Sequence, residues 1–209
     1  TEIQVPNNDT FSMGKIMEEL FIELNQPPKS KLKTSISIID EKTGGGMTAP
    51  SLMTIGALSS VGKTTMAMAI AQAVAFKGKK VLIISREMSY KKLAQKYLIS
   101  STGISKKKLD TRDLTKQDWY MINKRMEEYS TYNIEINDKA STISQIKKEV
   151  IRFKPDLLVV DYLQLLSPST TKNDNREREV ANLSRSLKNM SQDHNMVVIQ
   201  LSQLRDRAV

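Results

Sequence analysis

Residues 56–65 read Gly-Ala-Leu-Ser-Ser-Val-Gly-Lys-Thr-Thr, directly after an apolar stretch at 52–56 and directly before a helical pattern at 64–76. A buried strand must aim such a loop and a helix N-terminus must close it, so the segment calls for a layered α/β fold. Successive backbone N–H groups then converge on an anion. Lys63 adds a point charge suited to the β and γ phosphates of a nucleotide, and Thr64 offers a hydroxyl to magnesium. The strict spacing asks for glycine where Ala57 stands, because Gly56 lies one place early, and alanine is the least demanding replacement. The expected phosphate contacts are Gly56, Ala57, Ser59, Ser60, Val61, Gly62, Lys63, Thr64 and Thr65.

The rest of the chain repeats the alternation. Short apolar runs at 52–56, 80–85, 134–138, 157–161 and 196–202 predict strands, several without polar alternation, as in a parallel sheet buried on both faces. Helical spacing at 64–76, 90–101, 115–129, 142–153 and 176–194 predicts the crossovers. Sheets of this kind bind ligands at the carboxyl ends of their strands. Trp119 falls within an apolar helical pattern and reads as core, and the eleven methionines read mostly as packing. His194, between Asp193 and Asn195, reads as surface in a polar turn, and Lys106, Lys107 and Lys108 as a solvated helix end.

Three strand ends carry polar groups that fit the loop's chemistry. Asp161 closes the apolar run 157–161; alone it is a plain strand end, but beside a phosphate loop it reads as a magnesium-shell acid acting through water. The next residue is Tyr162, so no glutamate follows it directly to orient an attacking water. Glu87, just past the strand 80–85, is the nearest candidate, and a helix N-terminal acid is the other reading of it. Gln203 ends a further strand, where an amide can sense a γ-phosphate or simply cap the surface. Asp138 also ends a strand and receives no role.

Composition narrows the function classes. The chain of 209 residues suffices for one domain with an appendage, and 39% hydrophobic with 26% charged residues describes a globular protein. The absence of cysteine excludes a disulfide framework, a thiolate metal site and a thiol nucleophile, and with a single histidine it argues against an all-protein transition-metal centre. The 32 basic against 23 acidic residues leave a charge of +9, which favours a polyanionic partner. No apolar run reaches the ~18 residues of a membrane span, so no membrane role and a cytoplasmic setting are expected.

At the start, residues 11–24 place Phe11, Ile16, Met17, Leu20, Phe21 and Leu24 at helical spacing. Pro27 and Pro28 end this amphipathic helix, and the following prolines, serines and lysines read as an exposed linker. So short a helix is unstable alone, which leaves its own domain or a neighbouring subunit as its support.

Gly-Ala-x-x-Ser-x-Gly-Lys-Thr, Ser-x-Glu-Met-Ser, Leu-Thr-x-x-Asp-Trp, Val-Asp-Tyr-Leu-Gln-Leu and Leu-Ser-Gln-Leu follow one another in the chain. Together they resemble the C-terminal motor domain of DnaB-type replicative helicases from about residue 36 onward. Residues 160–165 are the most telling, since Tyr162, Leu163 and Gln164 have no place in a generic nucleotide binder. Asn175 and Arg176, with Glu179 and Val180, are similar to the family's next helix; Asp40 with Thr43, Gly44 and Gly45 is similar to its turn before the first core strand.

The resemblance implies a RecA-like P-loop NTPase, with a mostly parallel central sheet flanked by helices and preceded by a linker helix. It implies a division into 1–35, linker helix and connection, and 36–209, the ATPase domain. The implied activity is hydrolysis of ATP or another NTP with Mg, driving a homo-hexamer along single-stranded DNA, with primase and a helicase loader as partners. Lys63 and Thr64 take the phosphate and magnesium roles, Glu87 the catalytic base, Asp161 the metal-shell acid and Gln203 the γ-phosphate sensor. The linker helix packs on the adjacent subunit. Leu58 and Ser59 replace a common Arg-Pro pair, and Arg86 stands where an apolar residue is usual. The family continues beyond the sensor strand with a DNA-contacting loop and a basic finger. The 209-residue chain is therefore expected to be incomplete at its C-terminus and to hydrolyse nucleotide slowly alone, with Arg86, Arg176, Arg205 and Arg207 the cations able to replace the finger. The alternatives are a non-catalytic nucleotide-binding module and a RecA-like strand-exchange ATPase. A loader of the other ATPase lineage would place glutamate after Asp161.

Overall fold

Five parallel strands make one sheet in the order β1-β5-β4-β2-β3 in the computed structural model, which describes residues 11–28, 30–161, 163 and 176–204, without the Arg176 side chain. Tyr162, Gln164, Leu165, Asn175, Arg205 and Arg207 lie outside the described residues. The strands are β1 (Ser51–Ala57), β2 (Val81–Ser85), β3 (Ile134–Asn137), β4 (Leu157–Asp161) and β5 (Val197–Gln203). Every residue of β2 and β4 is buried, as is β5 up to its last two residues. This is why these runs lack polar alternation.

Alternate strand residues feed two cores. Val81, Ile83, Leu157, Val159, Val197 and Ile199 pack with α3 (Lys63–Phe76) and with Leu93 and Tyr97 of α4 (Tyr90–Thr102). Leu82, Ile84, Leu158, Val160 and Val198 pack instead with α7 (Ile143–Phe153) and α8 (Arg176–Asp193). Helices on both faces bury the sheet and leave its carboxyl edge for function.

Two units are distinguished, Thr1–Ser30 and Lys31–Val209. In the first, α1 (Met13–Leu24) begins after Ser12, whose hydroxyl accepts the Lys15 N–H, so Phe11 precedes the helix. None of its residues is buried. In the second, the segment expected as exposed linker is not so at Leu32 and Thr34. Leu32 forms a bridge with Met47, and both are buried. Gly46 permits this at φ 131°, where a Cβ would stand 2.8 Å from the Leu32 carbonyl oxygen. Thr34 donates its N–H and its hydroxyl to Asp40 Oδ1, each at 2.8 Å. Asp40 lies in α2 (Ser37–Lys42), a helix too short to show periodicity in the sequence. Desolvation pushes its carboxyl up, but the bonds from Thr34 and Ser35 outweigh it and hold it below the usual carboxylate range.

Other side chains depart from expectation. Trp119 is 53% exposed rather than core, because α6 (Lys116–Ser130) packs outermost against α4 and buries only Ile122. His194 is half-buried beside Val150 and Pro155, with Nε2 shielded, instead of standing on the surface. Among the methionines, Met47, Met68, Met190 and Met196 are core, whereas Met13, Met17 and Met126 are exposed. The lysines 106–108 open a second short helix, α5 (Lys106–Thr111), tied to α6 by Lys108 and Asp118 at 2.9 Å.

Candidate functional site

Register brings the polar strand ends together. Ala57 of β1 lies opposite Gln203 of β5, and Ser85 of β2 opposite Asp161 of β4. The phosphate loop leaves β1 at this edge and enters α3 at Lys63. Two of its residues are left-handed, Ser60 at φ 62° and Gly62 at φ 105°. Left-handed residues in a tight loop turn consecutive N–H groups into an anion-binding concavity, and glycine takes this geometry at the helix entry without strain. Leu58 and Val61 are exposed on the loop, in keeping with a segment shaped by backbone rather than by packing.

Lys63 is 9% exposed, and its Nζ donates to the carbonyl oxygens of Ala57 at 3.0 Å and Leu58 at 2.8 Å. Its charge is thus held within the loop itself. The Thr64 hydroxyl donates to Asp161 Oδ2 at 2.8 Å across 97 positions of sequence. Asp161 is 1% exposed, and its Oδ1 has no partner among the described residues. Burial pushes its carboxyl up; the Thr64 hydrogen bond opposes this and the Glu87 charge adds to it. A hydroxyl and a carboxylate with a free oxygen are hard ligands. No cluster of three or more His, Cys, Asp or Glu exists among the described residues, so such a cation would keep water or ligand oxygens, as magnesium does.

Glu87 sits in the bend between β2 and α4 with its side chain exposed, close enough to Asp161 to affect its charge. Gln203 is half-buried at the end of β5, where Leu204 N–H donates to the Ala57 carbonyl at 3.0 Å. The edge thus assembles Lys63, Thr64, Asp161, Glu87 and Gln203 around one loop. Gly56 and Ala57, both expected as phosphate contacts, lie within β1, Ala57 as its last residue.

Two contributors escaped the sequence. Asp138 accepts the Tyr90 N–H at 3.1 Å and so ties the turn after β3 to the start of α4. Lys96 of α4 carries a charge that, like that of Lys63, opposes the upward push on the Asp161 carboxyl. Its place on α4 was legible, but nothing local pointed it at a residue 65 positions away.

A parallel sheet with this loop at its carboxyl edge defines a nucleotide-binding domain of the RecA-like P-loop class. Residues 31–209 match the family of DnaB-like helicase C-terminal domains, and the chain belongs to that family. It is 36% identical over 179 residues to the replicative DNA helicase DnaB of Geobacillus stearothermophilus, covering 83% of this chain and 39% of that protein. A probable replicative DNA helicase of Trieres chinensis is 32% identical over 212 residues, covering 96% of this chain and 46% of its own length. A solved ATPase domain superposes with a TM-score of 0.83 at 28% identity, covering 95% of this chain and 73% of that one. A DnaB-like replicative helicase, solved in a study of its interactions with primase, gives 0.81 at 28% identity, covering 97% and 51%. The chain spans less than half the length of these two curated relatives.

Proposed function

We propose that this chain is the motor domain of a replicative DNA helicase, binding ATP or another NTP with Mg and hydrolysing it to move along single-stranded DNA as a homo-hexamer. The observation that carries the reading is the 2.8 Å bond from Thr64 to Asp161 at the mouth of the phosphate loop, beside a buried carboxylate oxygen with no described partner. Magnesium, when bound, would supply positive charge to offset the charge on the transferred phosphoryl group. Thr64 and Asp161 are the residues suited to hold it.

The chain's own groups supply the rest. Lys63 exchanges the Ala57 and Leu58 carbonyls for phosphate oxygens, a stronger, charge-assisted pairing. Glu87 accepts a proton from the attacking water, and its exposure gives that water access. Gln203, on the strand beside β1, donates its amide to the γ-phosphate and reports its loss through β5. The exposed apolar face of α1 docks on the adjacent subunit of the ring. Primase and a helicase loader are further partners of the assembly. The described helices include none long and apolar enough to cross a membrane.

The test is Glu87→Gln. An amide cannot accept the proton, so in a full-length context the variant should bind Mg-ATP normally and fail to hydrolyse it. Normal hydrolysis would reduce Glu87 to a helix-end acid.

A further inference from the structure

We infer that the turn after β3, at Asp138 and Lys139, clamps Glu87 in position through Arg86. This rests on the reading of Glu87 as the base. Glu87 has an exposed side chain in a short bend, so packing does not fix it. What fixes it is the bonding of its neighbours on either side. Immediately before it, Arg86 Nη1 donates to the Asp138 carbonyl at 2.6 Å and to the Lys139 carbonyl at 3.3 Å. The Arg86 N–H donates to the Asp161 carbonyl at 2.7 Å, joining the bend to β4. After Glu87, the Tyr90 N–H donates to Asp138 Oδ2 at 3.1 Å. Asp138 therefore grips the bend twice, through its carbonyl upstream and its carboxylate downstream of Glu87.

The grip has a stiff base. Asn137 Oδ1 accepts the N–H groups of Lys139 and Ala140, each at 2.8 Å, and Ala140 is buried. Within the bend, the Ser85 hydroxyl donates to the Met88 carbonyl at 2.8 Å and accepts the Met88 N–H at 3.3 Å. Arg86 Nε is meanwhile buried with no partner among the described residues. Shielding a guanidinium nitrogen in this way is costly. An apolar side chain would fill the space more cheaply, so the charge is retained for what it holds. Arg86 is thus a positioning residue: it touches no reacting atom and sets where Glu87 can reach.

The test is single-turnover ATP hydrolysis with protein in excess and Mg present, which reads slow chemistry, beside nucleotide affinity by calorimetry and melting by circular dichroism. For Arg86→Leu the rate should fall roughly ten- to a hundredfold, the cost of a misplaced catalytic group, with affinity and melting temperature unchanged. Arg86→Lys should recover part of the rate, because an ammonium can reach a carbonyl but lacks the planar fork. Asp138→Ala should slow hydrolysis in the same way through release of Tyr90. A parent rate in Arg86→Leu beside an inactive Glu87→Gln would overturn the clamp alone. Undiminished hydrolysis in Glu87→Gln would overturn the base role and the clamp with it. Parallel losses of affinity and melting temperature in both Arg86 variants would mark a purely structural arginine and also overturn it.

Discussion

Lys63 and Asp161 are the two buried charges of the loop region, and they lead to opposite expectations when neutralised. Lys63→Ala removes the ammonium that the loop holds ready, so nucleotide affinity should fall by at least ~1.4 kcal/mol, about tenfold, read by calorimetry. Unchanged affinity would refute the phosphate role. Asp161 is pushed up chiefly by burial, so the native state holds its proton more tightly than the unfolded chain does. The stability that protonation supplies is complete below the ordinary carboxylate range and is lost as pH rises through the raised value. At neutral pH, without divalent cation, the ionised group is a net cost. Asp161→Asn should therefore melt above the parent at pH ~7, and the gap should close on acidification. A variant that melts lower at neutral pH would show that the carboxylate is stabilising where it stands. The sequence announced these residues through motif and strand end. It marked Arg86 only as a departure from an apolar residue and as a candidate finger, and it could not reveal the carbonyl acceptor 52 positions away in the turn after β3.

Elements were legible in proportion to their length and burial. β4 carries the expected bounds because five uninterrupted apolar or strand-ending residues leave no choice of register, and α3 differs by one residue at its start. The six-residue helices α2 and α5 were missed, since fewer than two turns cannot display a period. The lysine-rich stretch before α2 misled for a different reason: Leu32 is one apolar residue among polar ones, and only its partner Met47 makes it core. The N-terminal boundary gives a paired test. Deleting residues 1–30 should leave the melting of the remaining domain intact and lower the oligomer mass by light scattering, if α1 is the docking helix. Extending the deletion through residue 35 removes Leu32 and Thr34 and should cost about 2–5 kcal/mol, the range for losing a buried leucine. Equal melting of both truncations would return this segment to the linker.

At the scale of the whole molecule, a charge of +9 meets phosphate backbones without any sequence preference. Binding to single-stranded DNA should be weak, with the logarithm of affinity falling by about 0.7 per neutralised phosphate for each unit of log salt, measured by fluorescence anisotropy. Salt-independent binding would point to base stacking instead, with exposed Trp119 and Tyr120 the first residues to replace. The sheet order carries one more consequence, for how the chain is made. β1 borders only β5 within the five-stranded sheet, and the facing residues Thr54 and Gln200 are 146 positions apart. On a ribosome adding ~5–20 residues per second, the strand that carries the phosphate loop must wait on the order of ten seconds for its neighbour to be synthesised. Throughout that interval a nascent chain leaves the β1 edge that faces β5 unpaired, so the emergence of β5 decides when the nucleotide can first be held.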